Sequence, residues 1–97
     1  MRVEFHPEAF EEFKLAAAYY GDCREGLDER FEESVREAVE RVAEYPDRWR
    51  FFHDDVRRCL TKVFPYAILY TIEPDFIHIL AVMHCRREPG YWMKRRT

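Results

Sequence analysis

Arginine, lysine, histidine and aromatic residues cluster in one short stretch of this chain, and together they could act on a phosphate-bearing substrate. The stretch reads His84-Cys85-Arg86-Arg87-Glu88-Pro89-Gly90-Tyr91-Trp92-Met93-Lys94-Arg95. Cleavage of RNA without a metal ion needs cations that stabilise the phosphorane and a group that moves the 2′-hydroxyl proton, while aromatic rings can hold the bases by stacking. The candidate catalytic residues for such a ribonuclease are His84 or Tyr91 as acid or base, and Arg58 or Arg86 as the phosphate-binding cation.

The same cations also suit a surface that binds an acidic partner. Residues 1–55 contain sixteen acidic and eight basic residues, a formal charge of −8, whereas residues 56–97 contain three acidic and eight basic residues, a charge of +5; together these give the chain's −3. Contacts with an acidic protein or a polyphosphate are therefore expected in the second half. The candidate partner-binding residues are Arg57, Arg58, Lys62, Arg86, Arg87, Trp92, Lys94 and Arg95.

The sequence lacks the motifs of metal-dependent and nucleotide-driven enzymes. No cluster of Asp, Glu or His has metal-ligand spacing, and neither a GxxxxGK[ST] loop nor a GxGxxG loop is present. The three cysteines, at positions 23, 59 and 85, have no CxxC spacing and are expected to be reduced thiols. No metal or cofactor is therefore expected, and an enzyme on this chain would be a metal-independent endoribonuclease.

Length and composition predict one globular domain that spans residues 1–97. An apolar fraction of 47%, with 16% aromatic residues, is too high for a disordered chain, and 97 residues suffice for a single core. The first residues lack the apolar stretch of a secretory signal, and no window approaches the ~20 apolar residues of a membrane span. We therefore expect a cytoplasmic protein that does not enter a membrane.

Hydrophobic periodicity predicts two consecutive helices flanked by strands. The predicted elements are a strand at Val3–Phe5, a helix from His6-Pro7-Glu8 to Gly21, a helix from about Arg24 to Tyr45, and strands at Val56–Phe64, Tyr66–Ile72 and Phe76–His84. Residues 46–55 are interpreted as a loop. The order β-α-α-β-β-β indicates an α+β fold in which a helical hairpin packs on one face of a small, mainly antiparallel sheet.

Both faces of the last two predicted strands are apolar. In a regular hairpin one face would carry Tyr66, Ile68, Tyr70, His78, Leu80 and Val82, and the other would carry Ala67, Leu69, Thr71, Ile77, Ile79 and Ala81, although a single bulge would rearrange these sets. A monomer with helices on only one face should have a polar outer face. This pattern predicts that a protein partner covers the second face; the sequence also leaves a homo-oligomer open.

Short phrases along almost the whole chain resemble one protein family. They are Phe5-His6-Pro7-Glu8-Ala9, Ala17-Ala18-Tyr19-Tyr20, Tyr45-Pro46, Val56-Arg57-Arg58-Cys59-Leu60, Phe64-Pro65-Tyr66-Ala67-Ile68-Leu69-Tyr70 and the stretch from His84 to Trp92. In this order and spacing they resemble the RelE/ParE superfamily of bacterial type II toxin–antitoxin systems, also called plasmid stabilisation proteins. The resemblance implies the β-α-α-β-β-β fold, a cognate antitoxin that wraps the toxin, and an action that halts growth.

The resemblance leaves three hypotheses for the function. Ribosome-dependent mRNA endonucleases of the superfamily resemble this chain at Arg86 and at the aromatic Tyr91 or Trp92, but they usually carry an arginine where this chain has Ala67. Members that inhibit DNA gyrase lack a complete nuclease set, as this chain does, and the ParE-like branch is therefore favoured. The third hypothesis is a degenerate member that binds an antitoxin without being toxic.

Overall fold

The computed structural model describes residues 1–96, which form two helices and a five-stranded mixed sheet. In chain order the elements are β1 (Arg2–Phe5), α1 (Pro7–Cys23), α2 (Leu27–Glu44), β2 (Phe51–His53), β3 (Val56–Leu60), β4 (Tyr66–Ile72), β5 (Phe76–His84) and a short 3₁₀ helix (Met93–Arg96). The strand order across the sheet is β1-β5-β4-β3-β2; β1 runs parallel to β5 and all other pairs are antiparallel. The predicted α+β class and the predicted element order are confirmed, with β2 as an additional strand.

Helix α1 begins where the sequence predicts and continues past the predicted end. The His6 side chain accepts a hydrogen bond from the backbone N–H of Glu8, and Pro7 occupies the first helical position, where its missing N–H has no intrahelical partner to lose. Gly21 does not end the helix. A Cβ at this position would lie 3.2 Å from Cβ of Asp28, so this glycine permits close contact between α1 and the start of α2.

The apolar stripe of α2 forms the centre of the main core. Phe31, Val35, Ala38 and Val42 recur at spacings of four, three and four residues, and all are buried. The Phe31 ring centroid lies 5.0 Å from that of Tyr66 on β4, in an edge-to-face contact. The predicted helical stripe is therefore confirmed, and it packs the hairpin onto the sheet.

The strand predicted at Val56–Phe64 is shorter than expected. β3 ends at Leu60 because the chain turns sharply at Val63, whose φ of +75° lies in the left-handed region. The turn is held by Thr61, whose hydroxyl donates to the carbonyl of Phe64 over 2.8 Å. Phe64 is buried nevertheless, because its side chain packs under the helices.

A bulge in β5 decides which side chains face the helices. Leu69 pairs with Ala81 and Tyr70 pairs with Ile79, so Leu80 is the extra residue. The strand residues packed in the core under the helices are Cys59, Ile68, Tyr70, Ile77, Ile79 and Val82. The core on the opposite face contains Val56, Ala67, Leu69, Leu80, Ala81 and Met83. The regular alternation predicted from the sequence was therefore wrong for Leu80, Ile77 and Ile79.

The second face of the sheet is covered by the protein's own tail, residues 85–96. Trp92 has no exposed surface and belongs to the core cluster on this face, with Tyr91 and Phe52 packed against it. The prediction that a protein partner covers this face was wrong, because the apolar residues that motivated it are already buried by the tail. Within residues 1–96 no helix is long and apolar enough to cross a membrane.

Candidate functional site

The candidate site lies where β5 ends and the basic turn, residues 85–88, begins. The backbone N–H of Cys85 donates to the carbonyl of Pro65 over 2.8 Å, and that of Arg87 donates to the carbonyl of His84 over 2.9 Å. The His84 Nδ1 accepts from the N–H of Arg86 over 3.0 Å. These three bonds hold the turn rigidly while Arg86 and Arg87 remain exposed.

A buried ion pair fixes the tail against α1 and the free edge of β5. The Arg95 Nη1 lies 2.9 Å from Glu12 Oε1, and the two side chains are 7% and 13% exposed. Arg95 also donates to the carbonyl of Leu80, while Glu12 accepts from the N–H of Val82. Because β1 pairs with β5 only up to Ile79, this ion pair satisfies backbone groups that would otherwise form an open strand edge.

Tyr91 and Trp92, the aromatic residues of the tail, are held in place by contacts within the domain. The Trp92 indole N–H donates to the carbonyl of Pro89 over 2.7 Å. The guanidinium of Arg87 lies 3.7 Å from the centre of the Tyr91 ring, a cation–π contact. Burial, followed by the neighbouring Glu12 carboxylate, raises the pKa of the Tyr91 phenol above its ordinary value. Tyr91 therefore stays protonated at neutral pH and is poorly suited to act as a base.

A concavity of about 260 Å³ opens between α1 and the end of β5. Its lining residues are Glu12, Leu15, Ala16, Tyr19, Tyr66, Val82, His84 and Arg87. The His84 and Tyr66 rings meet edge to face with centroids 5.1 Å apart. Burial, with a smaller effect from Tyr20, raises the pKa of Tyr66 to about 12, so this phenol is also neutral. The surface thus combines exposed apolar side chains on α1 with histidine and arginine on β5 and the basic turn.

The structure places the other candidate cations elsewhere. Arg57 donates to the backbone carbonyls of Asp47 and Trp49. Arg58 lines a different groove, at the β3 edge of the sheet. Lys62 lies 3.0 Å from Glu37 of α2.

The proposed ribonuclease groups are therefore divided between separate surfaces. Arg58 lines the groove at the β3 edge, and His84 and Arg86 lie at the end of β5. The Tyr91 ring packs against the guanidinium of Arg87. Trp92 and Arg95, which the sequence suggested as partner-binding residues, are buried within the domain. Lys94 is exposed on the 3₁₀ helix.

Sequence reasoning missed the contribution of α1 to this site. Glu12, Leu15 and Tyr19 lie on one side of the helix at spacings of three and four residues, which the sequence shows. The ion pair of Glu12 joins residues 83 positions apart in the sequence, and no local pattern indicates it. Among the described residues 1–96, no group of three or more His, Cys, Asp or Glu side chains is arranged to hold a metal ion.

Comparison with known proteins identifies the family. Residues 3–89 match the family model described as the ParE toxin of the type II toxin–antitoxin system parDE. A solved structure described as the chromosomal ParDE TA system from P. aeruginosa is similar in fold, with a TM-score of 0.65 and 16% sequence identity over 87% of this chain and 95% of the other. A comparison with curated proteins found no match. The family match over most of the sequence, in agreement with the fold, shows that this chain belongs to the ParE toxin family of type II toxin–antitoxin systems.

Proposed function

We propose that this ParE-family protein arrests growth by binding and inhibiting a type II topoisomerase such as DNA gyrase, and that a cognate antitoxin neutralises it. One observation carries the choice of target: the groups that could cleave RNA do not meet in one site. Arg58 lines a groove at the β3 edge, whereas His84 lines the concavity beside α1. Metal-free RNA cleavage requires such groups within reach of one phosphate, so inhibition by binding fits this chain better.

The basic turn is proposed to contact the topoisomerase. Arg86 and Arg87 are held on a backbone that the hydrogen bonds to His84 and Pro65 fix in place. A preformed cationic surface loses little conformational entropy on binding, and it increases the rate of association with an acidic partner surface. Trp92 contributes indirectly, because its burial holds the turn at the end of β5.

The antitoxin is proposed to bind across α1 and the basic turn. Leu15 and Tyr19 are 63% and 62% exposed, and they border the concavity that His84 and Arg87 complete. An antitoxin segment with apolar side chains facing α1 and acidic side chains facing the arginines would bury both features. The antitoxin would then compete directly with the topoisomerase for the basic turn.

A topoisomerase assay tests the target. The purified protein should inhibit supercoiling by DNA gyrase or trap cleaved DNA, and Arg86→Glu with Arg87→Glu should remove the effect. Arg24→Glu with Arg30→Glu is the matched control, since it makes the same change of charge on exposed residues of the helical hairpin, outside the basic turn. Circular dichroism should show both variants folded. Cleavage of mRNA on purified ribosomes, without any effect on gyrase, would replace this proposal with the endoribonuclease.

Antitoxin binding is tested separately with the protein encoded by an adjacent reading frame. The charge-reversed basic turn should bind it more weakly, and the binding should depend less on salt concentration. Unchanged affinity at low salt would show that the antitoxin binds elsewhere. Antitoxin binding by a protein that inhibits neither gyrase nor translation would favour the degenerate, non-toxic hypothesis.

A further inference from the structure

A groove at the β3 edge of the sheet is lined by three arginines, and the proposed toxin surface does not include it. β2 is short, and the last backbone bond along this edge runs from the N–H of Arg58 to the carbonyl of Arg50, over 2.9 Å. The edge of β3 beyond Arg58 is therefore not paired with β2. A concavity of about 290 Å³ occupies this place, lined by Arg41, Trp49, Arg50, Arg58 and Leu60.

Arg41 forms the back of the groove. Its guanidinium carbon lies 5.4 Å from the centre of the Trp49 ring, and its Nη2 donates to the carbonyl of Leu60 over 3.3 Å. The Trp49 indole N–H points towards the carbonyl of Arg41 at 3.5 Å. One carboxylate approaches Arg41, with Glu37 Oε1 at 3.8 Å from its Nε. Arg41 and Trp49 are thus ordered without any ligand.

Arg50 and Arg58 form the front of the groove, and both are exposed. Neither of them forms an ion pair with any carboxylate in the part of the chain that the structure describes, residues 1–96. The guanidinium carbon of Arg58 lies 5.6 Å from the centre of the Phe52 ring, a loose cation–π contact. The groove therefore offers two guanidinium groups for an anion, with a third behind them.

Cations and aromatic rings continue along the same edge beyond the groove. The guanidinium of Arg57 lies 3.9 Å from the centre of the Phe51 ring, and that of Arg48 lies 5.4 Å from the centre of the Tyr45 ring. Phe51 and Tyr45 are 60% and 51% exposed. Interleaved arginines and exposed aromatic rings match a ligand that repeats both negative charges and flat groups. A nucleic-acid strand has this character, whereas an acidic peptide would leave the aromatic surfaces unused.

We propose that this edge of the sheet binds single-stranded nucleic acid, with Arg50 and Arg58 contacting one phosphate and the neighbouring aromatic residues contacting bases. Arginine suits this role because its planar fork of N–H groups matches the oxygens of a phosphate. The Glu37 carboxylate and the chain's net charge of −3 oppose binding, so the affinity belongs in the weak, non-specific range of about 10⁻⁴–10⁻⁶ M. This binding does not depend on whether the protein inhibits gyrase.

Fluorescence anisotropy with a short labelled single-stranded DNA tests the proposal on the full chain. Arg50→Ala with Arg58→Ala should weaken binding by roughly tenfold or more at low salt and reduce the slope of log K against log salt by about 0.7, since the two arginines contact one phosphate and each lost phosphate contact removes about 0.7. The control is Arg24→Ala with Arg30→Ala, which removes the same charge from exposed residues elsewhere. Equal weakening in both variants would show a general charge effect and overturn the assignment of the groove.

Tryptophan fluorescence locates the ligand. Trp49 lines the groove, whereas Trp92 is fully buried in the second core, so single-stranded DNA should quench emission in the wild type and not in Trp49→Phe. The free nucleotide and inorganic phosphate should bind much more weakly than the strand. Quenching of Trp49 by a poly-glutamate peptide, with no quenching by DNA, would assign the groove to an acidic protein and overturn the proposal.

Discussion

Replacing Trp92 with alanine should come close to unfolding this protein. The indole is fully buried in the second core and donates a hydrogen bond to the carbonyl of Pro89. A tryptophan that buries ~150–250 Å² at ~25 cal/mol per Å² contributes about 4–6 kcal/mol, which agrees with the ~3–5 kcal/mol measured for such truncations in protein cores. The whole domain is expected to be stable by only ~5–15 kcal/mol.

Urea unfolding followed by circular dichroism measures this change. The midpoint should fall in Trp92→Ala, and the melting temperature should fall by roughly 12–40 °C, since 1 kcal/mol corresponds to ~4–8 °C in a domain of this size. Met93→Ala is the control, because the adjacent Met93 is largely exposed and its loss should cost less than about 0.5 kcal/mol. A loss below about 1 kcal/mol for Trp92→Ala would mean that the tail does not close the second core.

The burial of Trp92 and Arg95 also means that the tail is part of the folded domain. If the tail served only to bind a partner, truncation after Pro89 would remove toxicity without unfolding the domain. The truncated protein would lose Trp92 and Arg95 and would expose the apolar face that they cover. Loss of toxicity in that truncation would therefore reflect instability, and substitutions at Arg86 and Arg87 are the informative test.

Three further predictions follow from the packing and the charges. Phe31→Ala should cost about 3–5 kcal/mol in urea unfolding, whereas Glu40→Ala on the exposed side of α2 should change stability by less than about 0.5 kcal/mol. Arg95→Met should cost about 1–3 kcal/mol, because the largely buried Glu12 loses its closest cation and keeps only Arg87 at 3.5 Å. A double-mutant cycle with Glu12→Gln that gave a coupling below ~0.5 kcal/mol would contradict this. Burial, and then the nearby His6, lowers the pKa of His78, so below about pH 6.5 the unfolded chain binds more protons at this residue than the folded protein does. Stability should therefore fall as the pH drops below that value, and this fall should be smaller in His78→Gln.

The sequence predicted those parts of the fold that depend on local patterns. The stripe of Phe31, Val35, Ala38 and Val42 has the period of a helix, and Pro7 has the position of a helix start, so both helices were predicted close to their true bounds. Gly21 was misinterpreted as a helix end because its small size serves a contact with α2, which composition alone does not distinguish from a stop signal.

The features that sequence reasoning missed depend on contacts between distant residues. β2 has three residues and an irregular register, too short for a pattern of alternation. The bulge at Leu80 shifts the register without a glycine or proline to mark it. The pairing of Glu12 with Arg95 spans 83 positions of the sequence, and Trp92 is buried against residues of β2 to β5. The basic residues were therefore identified correctly as a group, but their separation into different surfaces was not.

The position of Trp92 and Arg95 also constrains when the protein can fold during its synthesis. β1 pairs with β5, and Arg95 contacts Glu12 across 83 positions of the sequence, so neither contact can form while the first helices leave the ribosome. A nascent chain that ends before Trp92 has both helices and all five strands but leaves the apolar face around Leu69 and Ala81 open to water. Folding of this toxin domain is therefore completed late, and the unfinished chain is the form most exposed to aggregation and to proteases.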